Sequence, residues 1–270
     1  MALTETAYAK INLALHVRQR RDDGCHEIET LFAFVDAGDR LTAQSAAQDR
    51  LQVVGEFADD LTDPFGNIVA KALTVLPRPG GLAITLEKVL PVAAGLGGGS
   101  ADAGAVFRIV REYHGLPGDW RERAARLGAD VPACAESVMC IGRGIGTELS
   151  PVENDLAGVG VLLVNPRVGL STRSVFAAWD GRDRGALPEG PASRIAQEGR
   201  NDLEGAAIGL CPNIADVITT LSRTGADVVR MSGSGATCFA LFRSHDVMRE
   251  AALKLASDRP EWWQLTGNLR

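Results

Sequence analysis

The 270-residue sequence lacks the marks of a metal-binding, membrane-spanning or nucleic-acid-binding protein. Its five cysteines, at 25, 134, 140, 211 and 238, form no Cys-x-x-Cys pair, and the four histidines cluster with none of them. Zinc wants closely spaced thiolates and imidazoles, so reduced, core-type thiols of a cytoplasmic protein are expected instead. Long apolar runs are missing: the longest, Leu156 to Val164, has nine residues, whereas about 20 are needed to span a bilayer. No basic stretch precedes an apolar run near the N-terminus, so no secretory signal is expected. A surplus of Lys and Arg is missing too. The 28 basic residues face 34 acidic ones, for a net charge of −6, which is the wrong sign for displacing counterions from nucleic acid. Repeats and low-complexity segments are absent.

Present instead is a globular composition, 46% hydrophobic and 23% charged, and one stretch that organises the chain. In Leu90-Pro91-Val92-Ala93-Ala94-Gly95-Leu96-Gly97-Gly98-Gly99-Ser100-Ala101-Asp102, four of thirteen residues are glycine. Leu82 to Leu86 before it reads as a strand, and Ala105, Val106, Ile109, Val110 and Tyr113 after it recur at helical spacing. A bare loop leading into a helix N-terminus presents N–H groups and a positive dipole end to an anion, phosphate above all. The run is neither of the two familiar phosphate fingerprints: no lysine follows the glycines, and Gly-x-Gly-x-x-Gly fails at Ser100.

Ala7 to Val17 alternates, with Ala9, Ile11, Leu13, Leu15 and Val17 expected in the core and Tyr8, Lys10, Asn12, Ala14 and His16 on an open face. Lys10 and Asn12 then stand about 6.6 Å apart, two strand rises, either as solvated polar residues or as functional ones. Asp22-Asp23-Gly24 marks a turn into a second strand, Cys25 to Val35. Asn67 to Leu73 reads as a helix, as does Trp120 to Leu127. Lys88 alone reads as a surface lysine. In Gly128-Ala129-Asp130-Val131-Pro132, Asp130 either caps a helix or, among apolar neighbours, calls for a cation or a proton to transfer. A boundary is expected near residue 155, giving domains 1–155 and 156–270. In the second, strands Val159–Val164, Ala226–Met231, Thr237–Phe242 and Trp262–Thr266 alternate with helices, suggesting an antiparallel sheet with helices on one face.

Taken together, Ala9-Lys10-Ile11-Asn12, the stretch from Pro91 to Asp102, and Met231-Ser232-Gly233-Ser234-Gly235-Ala236-Thr237 resemble the three signature motifs of the GHMP kinase superfamily. The segment Asp22 to Thr30 and Gly128-Ala129-Asp130-Val131-Pro132 sharpen the likeness to its branch acting on a cytidyl-methylerythritol diphosphate compound in non-mevalonate isoprenoid synthesis. The resemblance implies an α+β fold: an N-terminal ribosomal-protein-S5-like α/β domain and a C-terminal ferredoxin-like antiparallel sheet. It implies phosphorylation of the substrate's 2-hydroxyl by ATP with Mg²⁺, with Lys10 and Asp130 flanking the hydroxyl. Pro91, Ala93, Ala94, Gly95, Leu96, Gly97, Gly98, Gly99, Ser100 and Ala101 would seat the phosphates, with Ser100 the candidate hydroxyl near phosphate or metal. Asn67 and Lys88 would line the adenine and ribose side. Asn12, Cys25, His26, Phe176, Ser234 and Thr237 would meet the substrate, with Phe176 stacking on cytosine. Cys25 departs from the family, which has a tyrosine on the opposite face of the base. The partners implied are small molecules, not nucleic acid or membrane, in a monomer or weak homodimer. The alternatives are another GHMP kinase, of homoserine or mevalonate type, or a non-catalytic sensor on the same fold.

Overall fold

The computed structural model describes residues 2–61 and 66–270. The elements run β1 (Leu3–Arg20), β2 (His26–Ala46), β3 (Arg50–Val54), α1 (Ile68–Val75), β4 (Gly81–Glu87), α2 (Gly98–His114), α3 (Trp120–Leu127), α4 (Val131–Glu136), β5 (Cys140–Arg143) and β6 (Glu148–Pro151). They continue with β7 (Gly160–Asn165), α5 (Thr172–Ala177), α6 (Ala192–Glu198), α7 (Glu204–Leu210), α8 (Asn213–Leu221), β8 (Val228–Met231), β9 (Cys238–Phe242), α9 (His245–Asp258) and β10 (Trp263–Asn268). This is the α+β class. The chain forms two compact units: Met1–Lys10, Ala37–Val92 and Gly97–Val138 make one, and Ile11–Asp36, Ala93–Leu96 and Met139–Arg270 the other.

In the first unit, β4 pairs antiparallel with the second half of β2, Arg40 opposite Glu87, and parallel with β3. Leu82, Ile84 and Leu86 of β4 are buried and their alternate neighbours are not, the period of a strand with one face in a core. Helices α1 to α4 pack on one another. A Cβ at Gly104 would stand 2.5 Å from the Cys134 carbonyl carbon, so α2 and α4 cross at backbone contact. Arg108 of α2 braces that crossing. It donates to the Cys134 carbonyl (2.6 Å), the Ser137 hydroxyl (2.9 Å), the Thr6 carbonyl (2.7 Å) and Glu5 (2.8 Å). One guanidinium thereby locks α4 and the start of β1 to α2.

In the second unit, the antiparallel order is β10-β7-β9-β8. Gly160–Asn165 is buried throughout, and α8 and α9 pack on the sheet. Leu162, Val164, Ile214, Val217, Leu221, Phe242 and Trp262 share its core. In the same unit β5 pairs with β2 and with β6.

β1 departs from expectation. Its polar face is not open: Lys10, Asn12, Ala14 and His16 are as buried as Ile11 and Leu13. Each polar side chain on it has specific partners. Asn12 donates to the Thr30 hydroxyl at 2.7 Å. His16 Nδ1 lies 3.0 Å from the Gly185 carbonyl and its Nε2 accepts from the Arg200 N–H at 3.2 Å. A carbonyl only accepts, so Nδ1 carries the proton and the ring is neutral. Burial, and then the Arg200 charge, hold its pKa below the ordinary histidine value.

Candidate active site

The glycine stretch leaves β4 at Lys88 and re-enters regular structure at Gly98, the first residue of α2. The glycines therefore form the helix's opening turn. Gly97, the N-cap, has φ +59° and no side chain to cap with. The first-turn N–H groups have no intrahelical acceptor, and no acidic residue occupies that turn. It has the chemical character of an anion seat.

Two facts make residue 97 a glycine. The left-handed φ disfavours any side chain, and a Cβ there would stand 2.9 Å from Lys10 Cε. The stem of Lys10 thus runs along the underside of the loop. Its ammonium meets Asp130 Oδ2 at 3.0 Å. Asp130 holds the N-cap position of α4, yet its carboxylate makes no capping bond; it turns to Lys10 instead. Lys10 is buried, while the Asp130 side chain is 30% exposed, so the acid remains open to a substrate. A Cβ on Gly128 would lie 3.9 Å from Ser100 Oγ, which puts that hydroxyl beside the turn carrying Asp130. The first unit therefore gathers Lys10, Asp130, Gly97 to Ala101 and Ser100. An ammonium, an ionisable acid and a row of peptide donors can orient an alcohol, accept its proton and balance the charge of a phosphoryl group in transfer.

Lys88 is not a surface lysine. It is buried, and its ammonium sits between Asp39 and Asp102, bonding Asp39 Oδ2 and reaching Asp102 Oδ2 at 2.9 Å. Burial pulls its pKa down, but the Asp102 and Asp39 charges prevail and raise it. Burial pushes the Asp102 carboxyl up to about 8, against the pull of Lys88 and with a contribution from Asp39. The ammonium is thus turned inward, onto the two acids. Asn67 caps α1, its Oδ1 accepting from the Val69 N–H at 2.9 Å. Pro91, Ala94 and Leu96 are buried, and Ala93 and Gly99 are exposed.

The second unit holds the remaining residues. Ser232 Oγ donates to the Gly95 carbonyl (2.8 Å), and the Thr237 N–H donates to Ala94 (3.1 Å). The turn after β8 is thereby laced to residues 94 and 95. Thr237 is fully buried, its hydroxyl accepting from Asn165 Nδ2. Ser234 Oγ is 2.9 Å from Thr172 Oγ1. The Asn12 N–H donates to Ser232 Oγ at 3.2 Å. His26 lies 4.9 Å from the Phe176 ring and 5.8 Å, edge-on, from Trp179. Burial, and then the Arg20 charge, lower its pKa, which favours a neutral ring with one donor and one acceptor. Cys25 is exposed on the turn just before it.

Asp39, Asp102 and Arg108 went unnoticed in the sequence. Asp102 adjoins the glycines, but its partners lie 14 and more positions away, and nothing local marks Asp39 or Arg108. Among the described residues no group of three or more His, Cys, Asp or Glu is placed to hold a metal, and no helix is long and apolar enough to cross a membrane.

The pattern of the GHMP kinases N terminal domain matches residues 67–138, and that of the GHMP kinases C terminal matches residues 186–260. A 4-diphosphocytidyl-2-C-methyl-D-erythritol kinase of Novosphingobium aromaticivorans is 66% identical over 270 residues, covering 100% of this chain and 94% of its own. One from Erythrobacter litoralis is 62% identical over 272 residues, covering 99% and 100%. A crystal structure of 4-(cytidine 5'-diphospho)-2C-methyl-D-erythritol kinase superposes with TM-score 0.82 at 33% identity over 99% of both chains.

Proposed function

The chain belongs to the GHMP kinase family, and from that premise we propose that it transfers the γ-phosphoryl group of ATP to the 2-hydroxyl of 4-diphosphocytidyl-2-C-methyl-D-erythritol, releasing ADP. Full-length relatives of that name support the substrate. The observation that carries the chemistry is the Lys10–Asp130 pair, 3.0 Å apart under the glycine loop.

An alcohol is a weak nucleophile at neutral pH. Asp130, still partly exposed, accepts the hydroxyl proton as the oxygen attacks the γ-phosphorus, a role worth about 10²–10⁴-fold. Lys10 holds the carboxylate in place and faces the transferring group with a positive charge. The N–H groups of Gly98 to Ser100 bind the phosphates at the start of α2. The donor set fits Mg²⁺ of the kind that arrives on nucleotide phosphates and keeps most of its water: one hydroxyl, Ser100, and, among the described residues, no carboxylate cage. Such an ion, when bound, would neutralise charge on the β- and γ-oxygens.

At the cytidyl end, His26 reads the base with its neutral ring and Phe176 stacks on it. Asn12, Ser234 and Thr237 shape the surroundings, and Cys25 leaves one face of the base without its aromatic. Pro91 and Ala93 to Ala101, with Asn67, belong to the nucleotide. The halves 1–155 and 156–270 carry the two family segments. A cytoplasmic location suits five free thiols, and a monomer or weak homodimer suffices. Supplying ATP separately with the cytidyl-methylerythritol compound, mevalonate and homoserine tests the proposal. ADP release is expected with the first alone, and release with either of the others instead would overturn the substrate assignment.

A further inference from the structure

Beneath the phosphate loop lies a charged cluster that phosphoryl transfer does not use. Asp39 Oδ1 accepts from the Val89 and Leu90 N–H groups, at 2.6 and 2.8 Å, where the chain enters the loop. Asp102 stands on α2, where the chain leaves it. The Lys88 ammonium bonds to both carboxylates, and a Cβ on Gly98 would stand 3.1 Å from that ammonium. The cluster therefore joins the two ends of the loop directly under the first helical residue.

One ammonium needs only one carboxylate to balance it, and Asp39 already serves. Asp102 is the excess. It is 2% exposed, and its Oδ1 has no hydrogen-bond partner among the described residues. A buried, half-satisfied acid weighs against folding, and apolar replacements of buried ionic groups are often neutral or stabilising. Stability alone does not account for an aspartate here.

We propose that Asp102 is a positioning residue for the nucleotide: through Lys88 it ties the exit of the phosphate loop to its entrance, and so sets the spacing of the N–H groups that meet the phosphates. The proposal rests on the reading that this loop seats ATP. Asp102→Leu fills the same space, leaves Lys88 and Asp39 as a balanced pair and cuts the tie. Asp102→Asn keeps the acceptor and the tie.

Calorimetric titration of the full chain with Mg·ATP, without acceptor alcohol, is to be paired with thermal unfolding. Asp102→Leu is expected to unfold at the wild-type temperature or above, yet to bind ATP about tenfold more weakly, the equivalent of one net hydrogen bond to the phosphates. Asp102→Asn is expected to bind close to wild type. Wild-type affinity in Asp102→Leu, an equal loss in both variants, or failure of Asp102→Leu to fold would each overturn the proposal, the last by making Asp102 a residue of the fold. A wild-type chain that does not bind ATP would bring down the nucleotide reading first, and this one with it.

Discussion

At the start of α4, Asp130 occupies the one position where an aspartate is ordinary, and it does not do the ordinary thing. Its carboxylate turns from the helix N–H groups to Lys10, 3.0 Å away. Asp130→Asn keeps the shape and removes the proposed proton acceptor. It is expected to lower turnover at least about a hundredfold while leaving the ATP dissociation constant near wild type, as steady-state rates and nucleotide titration would show. Unchanged turnover would remove Asp130 from the mechanism. At this scale the sequence was partly legible. Lys10 and Asp130 were identifiable from their motifs, whereas the neutral tautomer of His16 and the inward turn of Lys88 depend on Gly185, Arg200, Asp39 and Asp102, partners no local pattern announces.

Elements were more legible than contacts. Trp120–Leu127 reads directly as α3 because its helical residues end at Gly128, and β4 reads from alternating branched residues. Two misreadings have clear physical causes. The glycines that look like a loop are in part the first turn of α2, because a helix opening can be built from glycine where a ligand is to approach. β1 is buried on both faces because each polar residue there has a partner, which alternation alone cannot report. The loop yields a prediction at this scale. Gly98→Val would press branched carbons toward the Lys88 ammonium, 3.1 Å from the nearest added carbon, and so displace the helix opening whose N–H groups would seat the phosphates. Loss of detectable ATP binding with a still cooperative thermal transition is expected, and retained binding would give the loop another task.

Across the whole chain, the match to named relatives covers 99–100% of its residues. Neither β1 nor β2 belongs to a single unit: each contributes residues to both, so a composition shift near residue 155 does not describe how contacts are partitioned. Stability against pH is a property of the whole molecule, and His16 supplies a signed expectation. Its folded pKa lies below the ordinary value of 6.5. Between the two values the unfolded chain takes up a proton that the folded chain refuses, so stability is full above the ordinary value and falls as the pH drops through this window. Denaturant midpoints are expected to decline from about pH 7.5 to about pH 5.5, and less steeply in His16→Gln, by the share of one proton. Equal slopes would place the acid sensitivity elsewhere.

The uncapped start of α4 carries an implication for engineering. A six-residue helix that forgoes a side-chain cap gives up about 1 kcal/mol that an ordinary Asp, Asn or Ser would supply. With Asp130 in its proposed role, selection for heat tolerance alone would therefore drift toward an inert protein, the asparagine or serine at this one site folding its cap back and silencing the chemistry. Directed evolution of a hardier enzyme should hold residue 130 fixed and look for its gains elsewhere.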